Sequence, residues 1–258
     1  MHDIRDVTFN IPVKIDQPDR LRNLSIVMGY LNKYFKTNII LSEMDESSKL
    51  NDLFKDISFK HVFMKTSSPY FHRTMMLNYM AKASTTPIIV NYDCDILLTP
   101  DQIVEAVNKI RFFGEEMVFP YDGNFYNVQS QYIDSIKNNL SIENISTTTM
   151  CKNLRPEGDS VGGVIFWKKS KFMEIGMENE NFISWGFEDT ERYERARKLN
   201  VRIYRGNGGL IHLHHNSSLN SANASHPFYL QNENEYKKVN QMNVESLLNY
   251  IKTWQWVK

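Results

Sequence analysis

The sequence has little cysteine: Cys94 and Cys151 are the two thiols in 258 residues. Two thiols cannot build a disulfide framework or a Cys-rich zinc site, and a reducing cytoplasm is the default compartment for such a chain. Neither sign of charge is in excess, with 30 basic residues against 30 acidic and a formal net charge of +0. A neutral chain suits non-specific nucleic-acid binding poorly, because that binding uses a basic surface. No apolar run approaches the ~18 residues of a membrane span. The opening residues, MHDIRD, are too polar for a secretory signal. Repeats, low-complexity tracts and Pro/Gly/Ser-rich linkers are missing as well. So are the loops G-x-x-x-x-G-K-S/T and G-x-G-x-x-G, the elbow G-x-S-x-G and the helix motif H-E-x-x-H.

Material for a core is ample, with 41% hydrophobic and 12% aromatic residues. Residues 7–13 (VTFNIPV), 37–41 and 58–64 read as strands. Asp19 is placed to cap a helix with Leu21, Leu24, Met28, Leu31 and Phe35 at helical spacing. A helix over 71–83 carries Met75, Met76, Tyr79 and Met80 as core filling. A short buried strand at 88–90 and a helix over 102–112, capped by Thr99-Pro100-Asp101, follow. Strands and helices alternating at this period predict an α/β fold with a doubly wound sheet, whose ligands bind beyond the carboxyl ends of the strands. Strands are expected at 116–120, 161–167, 201–204 and 210–213, a helix at 188–199, and a largely helical tail over 232–256. Residues 122–159 are polar and give no clear pattern.

Four clusters carry candidate chemistry. Asp93 and Asp95 flank Cys94 after the strand at 88–90. Residues two apart in a strand face one way, about 6.5 Å apart, and paired carboxylates at a ligand edge need a cation between them. Hard oxygen ligands suit Mg²⁺ or Mn²⁺, which would also neutralise a diphosphate. His212, His214 and His215 lie within four residues. His212 and His214 share a side in a strand, whereas a turn would bring His212 and His215 together. Trp185-Gly186-Phe187-Glu188-Asp189 combines a flat apolar ring with two carboxylates at a helix start, where they serve as a dipole-favoured cap or as an acid–base pair. Gly162-Gly163 would let a ligand approach the backbone, or would mark a bulge.

In this order, the Asp-x-Asp, GGVIFWKKSKF, NFISWGFEDTERYERA and HLHH segments resemble GT-A-fold glycosyltransferases. The resemblance is to the galactosyltransferase C-terminal-domain family and to bacterial capsule and chondroitin-type polymerising transferases, and it runs over about residues 7–215. It implies a GT-A (Rossmann-like) nucleotide-diphospho-sugar transferase fold with a mostly parallel central sheet. One domain is implied over 1–258: a nucleotide-binding half to about 115, an acceptor and catalytic half over about 116–230, and a C-terminal helix over about 231–258. It further implies donor binding by Pro12, Lys14, Asp16, Arg20, Arg73, Asn78, Asp93, Gly163 and Trp185. Asp95, His215 and His212 would hold Mn²⁺ (or Mg²⁺). Asp189 would be the base for the acceptor hydroxyl, with Glu188 gripping the acceptor. The implied reaction moves Gal, GalNAc, GlcNAc or a similar sugar from a UDP-sugar to a saccharide hydroxyl with inversion, in bacterial capsule or surface-polysaccharide synthesis. A retaining GT-A transferase, a metal-dependent phosphoester hydrolase and a non-catalytic glycan-binding module stay as alternatives. The chain departs from the family's Trp-Gly-Gly-Glu-Asp at Phe187, whose ring is expected to reshape a substrate pocket. The implied location is cytoplasmic, with peripheral contact at the inner membrane open and no nucleic-acid partner. The loop over 216–226 is expected to close over the donor, and the bare carboxylate edge to be locally acidic.

Overall fold

The computed structural model describes residues 1–50, 53–221 and 225–258. Strand β1 (His2–Val13) begins earlier than the apolar run at 7–13. Its first residues are largely exposed, so they carry no hydrophobic signal. In helix α1 (Pro18–Tyr34) the N-cap position falls to Gln17, not Asp19, and Gln17 makes no side-chain capping bond. Pro18 takes the first helical position, where a missing N–H costs nothing, and Asp19 falls in the first turn. Then come β2 (Phe35–Asp45), β3 (Lys60–Lys65), α2 (Arg73–Ala83), β4 (Ile88–Tyr92) and β5 (Ile96–Leu97). Helix α3 (Pro100–Phe113) opens on the expected box: the Thr99 hydroxyl accepts from the Gln102 amide, and the Gln102 side chain accepts from the Thr99 amide.

Strands β6 (Met117–Phe119) and β7 (Phe125–Val128), helix α4 (Ile133–Asn139) and strand β8 (Cys151–Asn153) follow. Three of these elements lie in the stretch that gave no sequence pattern. After them run β9 (Val164–Lys168), α5 (Lys169–Glu174), α6 (Glu188–Lys198), β10 (Ile203–Arg205) and β11 (Leu210–Leu213). The tail is two helices rather than one, α7 (Tyr229–Gln241) and α8 (Val244–Thr253). Asn243 breaks it by capping α8, accepting from the Ser246 amide at 2.9 Å. Val239, Leu247, Ile251 and Trp254 pack together there, while Leu248, expected on the same side, is 41% exposed.

Seven strands form the main sheet in the order β10-β6-β9-β4-β1-β2-β3. Every pairing in it is parallel except those of β9, which runs antiparallel to β4 and β6. All five residues of β4 are buried, as a strand covered on both faces requires. Helix α2 lays Met76, Leu77 and Met80 on Ile40 and Met44, whereas Tyr79 is 48% exposed. The sheet is continuous across residue 115, because β9 inserts between β4 and β6. A smaller sheet, β5-β11-β7-β8, sits at its edge, with β11 antiparallel to β5 and parallel to β7.

The end of β11 is tied to α1. The buried Asn23 amide donates to the Leu213 carbonyl at 2.8 Å and to the His214 carbonyl at 3.3 Å. Removing it takes the side-chain donor from the buried Leu213 carbonyl, at about 1–3 kcal/mol, while the His214 carbonyl keeps a bond from Arg22 at 2.6 Å. Asn23→Ala should lower stability in urea denaturation by that amount, and an unchanged midpoint would show that the tie is dispensable.

Candidate active site

The carboxyl end of β4 is clamped by backbone. The Asp93 amide donates to the Gly163 carbonyl at 2.9 Å, and the Leu213 amide donates to the Asp95 carbonyl at 2.8 Å. Asp95 is 4% exposed, and its Oδ2 lies 3.4 Å from His215 Nε2 and 3.7 Å from His212 Nε2. One ligand atom from each of the three falls within 4.8 Å of the others. A carboxylate oxygen with two imidazole nitrogens is a donor set that fits Mn²⁺. Burial alone would raise the Asp95 pKa, but His212, Arg20 and His215 hold it well below the usual carboxylate range. Burial lowers the pKa of His215, which keeps it neutral as a ligand must be. His214 points elsewhere, its Nδ1 3.3 Å from Asn127 Nδ2.

The same Asp95 oxygen accepts from Arg20 Nη1 at 2.9 Å. Asp93 Oδ1 accepts from Arg73 Nε and Nη2 at 2.9 and 2.8 Å. Arg73 Nη1 then reaches to 3.5 Å from Asp189 Oδ1, which also takes a hydrogen bond from Arg192 Nη2. Arg192 is fully buried and pairs with buried Glu178 at 2.9 Å, and Glu178 accepts from Asn91 Nδ2 at 2.7 Å. The carboxylates at this edge are thus interleaved with three guanidinium groups, so much of the acidity expected of the bare site is balanced internally. Burial would raise the Asp189 carboxyl, but Arg192 and Arg73 outweigh it and hold it low. Asp93 is pushed up, chiefly by burial, with Arg73 opposing.

Asp189 and Glu188 open α6 from a turn in unusual backbone. Ser184, Gly186 and Phe187 have φ of 56°, 121° and 69°. Glu188 Oε2 accepts from the Gly186 amide at 2.9 Å, folding back on its own turn. The Phe187 ring leaves the carboxylates and packs on Tyr229 and Tyr236 of α7, at centroid distances of 5.2 and 5.5 Å. Its contact is therefore with the tail helix. Trp185 stacks on Tyr229 at 6.1 Å and 20°.

The remaining expected residues divide. Lys14 Nζ donates to the Met44 and Ser68 carbonyls at 3.4 and 3.2 Å, bracing strand ends. Pro12 is buried within β1. Asp16 accepts from Asn220 Nδ2 at 3.1 Å and lies 3.7 Å from Arg20 Nε. Asn78 is turned into the fold, where it exchanges hydrogen bonds with the Glu178 backbone at 2.8 and 2.9 Å. Gly163 (φ 78°) braces Asp93 through its carbonyl, and a Cβ on it would meet Leu210 at 3.0 Å. Gly162 is the glycine that faces the carboxylates, since a Cβ there would lie 2.2 Å from Asp189 Oδ2. Of the loop expected to close, residues 222–224 lie outside the described residues. Asn216 donates to Asp19 Oδ2, and Asn220 reaches Asp16, Phe71 and Ser184. Arg192 and Asn127 were not foreseen. The i,i+3 spacing of Asp189 and Arg192 on a helix was a usable signal for the first. Nothing in the sequence marks the second.

The fold is that of the GT-A nucleotide-diphospho-sugar transferases. Among solved structures it is similar to glucosyl-3-phosphoglycerate synthase from Mycobacterium tuberculosis, determined with Mn²⁺, UDP-glucose and phosphoglyceric acid. The likeness has a TM-score of 0.56 at 11% identity, covering 90% of this chain and 80% of that one. The catalytic domain of Drosophila β1,4-galactosyltransferase 7, determined with xylobiose, matches at TM-score 0.44 and 12% identity over 80% of this chain. The chain spans 65% of the length of that galactosyltransferase structure. A family model described as the N-terminal domain of galactosyltransferase matches residues 149–216, about a quarter of the chain. No protein of curated function matches by sequence.

Burial and the adjacent Asp189 charge raise the Glu188 carboxyl from 4.5 to about 7. The unfolded chain then ionises first as pH rises, so stability falls between these two values and levels off above the folded one. Glu188→Gln removes this loss. Its gain in Tm over the native protein should be larger at pH 8 than at pH 5, and an equal gain at both would contradict the raised pKa.

Proposed function

We propose that the protein moves a sugar such as Gal, GalNAc or GlcNAc from a UDP-sugar to a hydroxyl of a saccharide acceptor, with inversion. The whole chain acts as one transferase domain, and the product belongs to bacterial surface polysaccharide. The observation that carries this is the pairing of two features at one sheet edge. One is the Asp95, His212 and His215 trio; the other is an ionised Asp189 held by Arg73 and Arg192, with Oδ2 over the bare face of Gly162. The likeness to folds that bind UDP-sugars with Mn²⁺ supports it.

Asp95, His212 and His215 would hold Mn²⁺ or Mg²⁺, which supplies positive charge against the diphosphate of the leaving UDP. Arg20 and Arg73, already between the carboxylates, add donors on the same side. The acceptor oxygen forms a bond to the anomeric carbon as the bond from that carbon to the diphosphate breaks, and UDP leaves with the electron pair. The acceptor proton passes to Asp189. The two guanidinium groups keep Asp189 ionised before the reaction, so its oxygen is free to accept that proton. Glu188 sits beside it to receive an acceptor hydroxyl, and the half-buried Trp185 offers a ring face to a sugar. Among the described residues no helix is long and apolar enough to cross a membrane. We place the enzyme in the cytoplasm, where UDP-sugars are made, with contact at the inner membrane through its acceptor.

Asp189→Asn should abolish transfer to a saccharide acceptor while UDP and Mn²⁺ binding persist; transfer at a comparable rate removes Asp189 as the base. Proton NMR of the product anomer separates inversion from retention. Gly162→Ala should displace the Asp189 carboxylate and lower kcat by about 10²-fold, the scale expected for a ~1 Å misplacement. Steady-state rates with unchanged UDP affinity check it.

A further inference from the structure

We infer that Asn127 sets the tautomers of His212 and His214, and so leaves His212 with its Nε2 lone pair presented beside Asp95 as a metal ligand. This rests on the metal assignment above. Strands β7 and β11 pair in parallel with Asn127 opposite His212, so the register puts both side chains on one face of the small sheet. Asn127 Oδ1 lies 2.7 Å from His212 Nδ1. An amide oxygen only accepts, so His212 carries its proton on Nδ1. Its Nε2 lone pair is then left facing Asp95 at 3.7 Å. The other end of the same amide, Nδ2, lies 3.3 Å from His214 Nδ1. An amide nitrogen only donates, so His214 keeps its lone pair on Nδ1 and its proton on Nε2.

One side chain thereby imposes opposite tautomers on two histidines two residues apart. Turning the amide over would reverse both. His212 would then hold a proton on Nε2, aimed at Asp95, and would have no electron pair for a cation. Each orientation of the amide goes with one pair of tautomers, so the amide and the two rings are set together. The Phe125 ring, 5.1 Å from the His212 ring, covers the same face. His215 does not depend on this device, because its Nδ1 faces its neighbour's carbonyl, Asn216 O, at 2.9 Å. His214, which has no place in the trio, acquires a role as the second anchor of the amide. A hydrogen-bond partner of this kind orients a metal-binding imidazole, and its removal typically costs 10–100-fold in affinity, roughly.

The test uses the full chain and Mn²⁺ alone, with free Mn²⁺ followed by electron paramagnetic resonance. Asn127→Leu should weaken Mn²⁺ binding by about 10–100-fold, while Asn127→Asp, which keeps an accepting oxygen for His212, should bind nearly as the native protein does. Leu binding as tightly as native, or Asp binding as weakly as Leu, overturns the proposal. If the Leu variant does not fold, long-range ¹H–¹⁵N correlation on the metal-free native protein decides the matter. A proton on His212 Nδ1 and on His214 Nε2 supports the proposal, and the reverse pair overturns it. Asp95→Asn is the control for the metal assignment. Native Mn²⁺ affinity that survives this change overturns that assignment and the ligand choice with it, while the tautomers still report on Asn127.

Discussion

Carboxylates gathered at the edge of a buried sheet stay ionised only if cations are threaded between them, and the active edge of this protein is organised by that constraint. Asp93, Arg73, Asp189, Arg192 and Glu178 alternate in sign along one connected chain. Each member comes from a different place: the end of β4, the start of α2, the start of α6, its second turn, and the loop after α5. Removing Arg192 would leave the fully buried Glu178 without its guanidinium partner, which is far more costly than losing a weak surface pair, whereas Asp93 and Asp189 keep part of their side chains in solvent. The chain of charges therefore joins the helices to one another as much as it prepares Asp189.

A second arrangement lies alongside. Asp95 belongs to the main sheet's edge, and the histidines belong to β11 and the turn beyond it. The small sheet brings them together, because β11 pairs with β5 immediately after Asp95 and with β7 on its other side. Asn23 on α1 then holds the carbonyls at the end of β11. Arg20 on the same helix reaches Asp95, so one helix contributes both to the shape of this corner and to its charge.

Much of the fold was legible because buried strands and helices leave periodic apolar patterns. The strands near 7–13, 37–41, 88–90 and 210–213 fall within observed strands, and the Thr99 cap forms as expected. What failed has local causes. Residues 122–159 hide two strands because both are short and partly exposed, β7 inside the small sheet and β8 at its edge, and so carry no long apolar pattern. The tail divides because Asn243 can cap a new helix, a signal weaker than the apolar spacing around it. In the candidate site, Asp95 with His212 and His215 was legible from spacing and resemblance, and the structure brings them together. Gly162 was seen as one of a pair, but which glycine faces Asp189 depends on a backbone turn. Phe187 signalled a change of pocket, yet its ring went to α7, since left-handed backbone at that position aims it at Tyr229 and Tyr236.

The sequence by itself determined the chemical inventory and the elements that bear it. It placed an Asp-x-Asp after a buried strand, a carboxylate pair at a helix start and a histidine cluster on a short strand, because residue type and short-range spacing are local properties. Tertiary structure alone decided how those charges are balanced and how the imidazoles are protonated. Arg73 meets Asp189 across more than a hundred residues, and Asn127 meets His212 across 85. Such pairings follow from strand order and register, which depend on the packing of the whole sheet and leave no mark at either position.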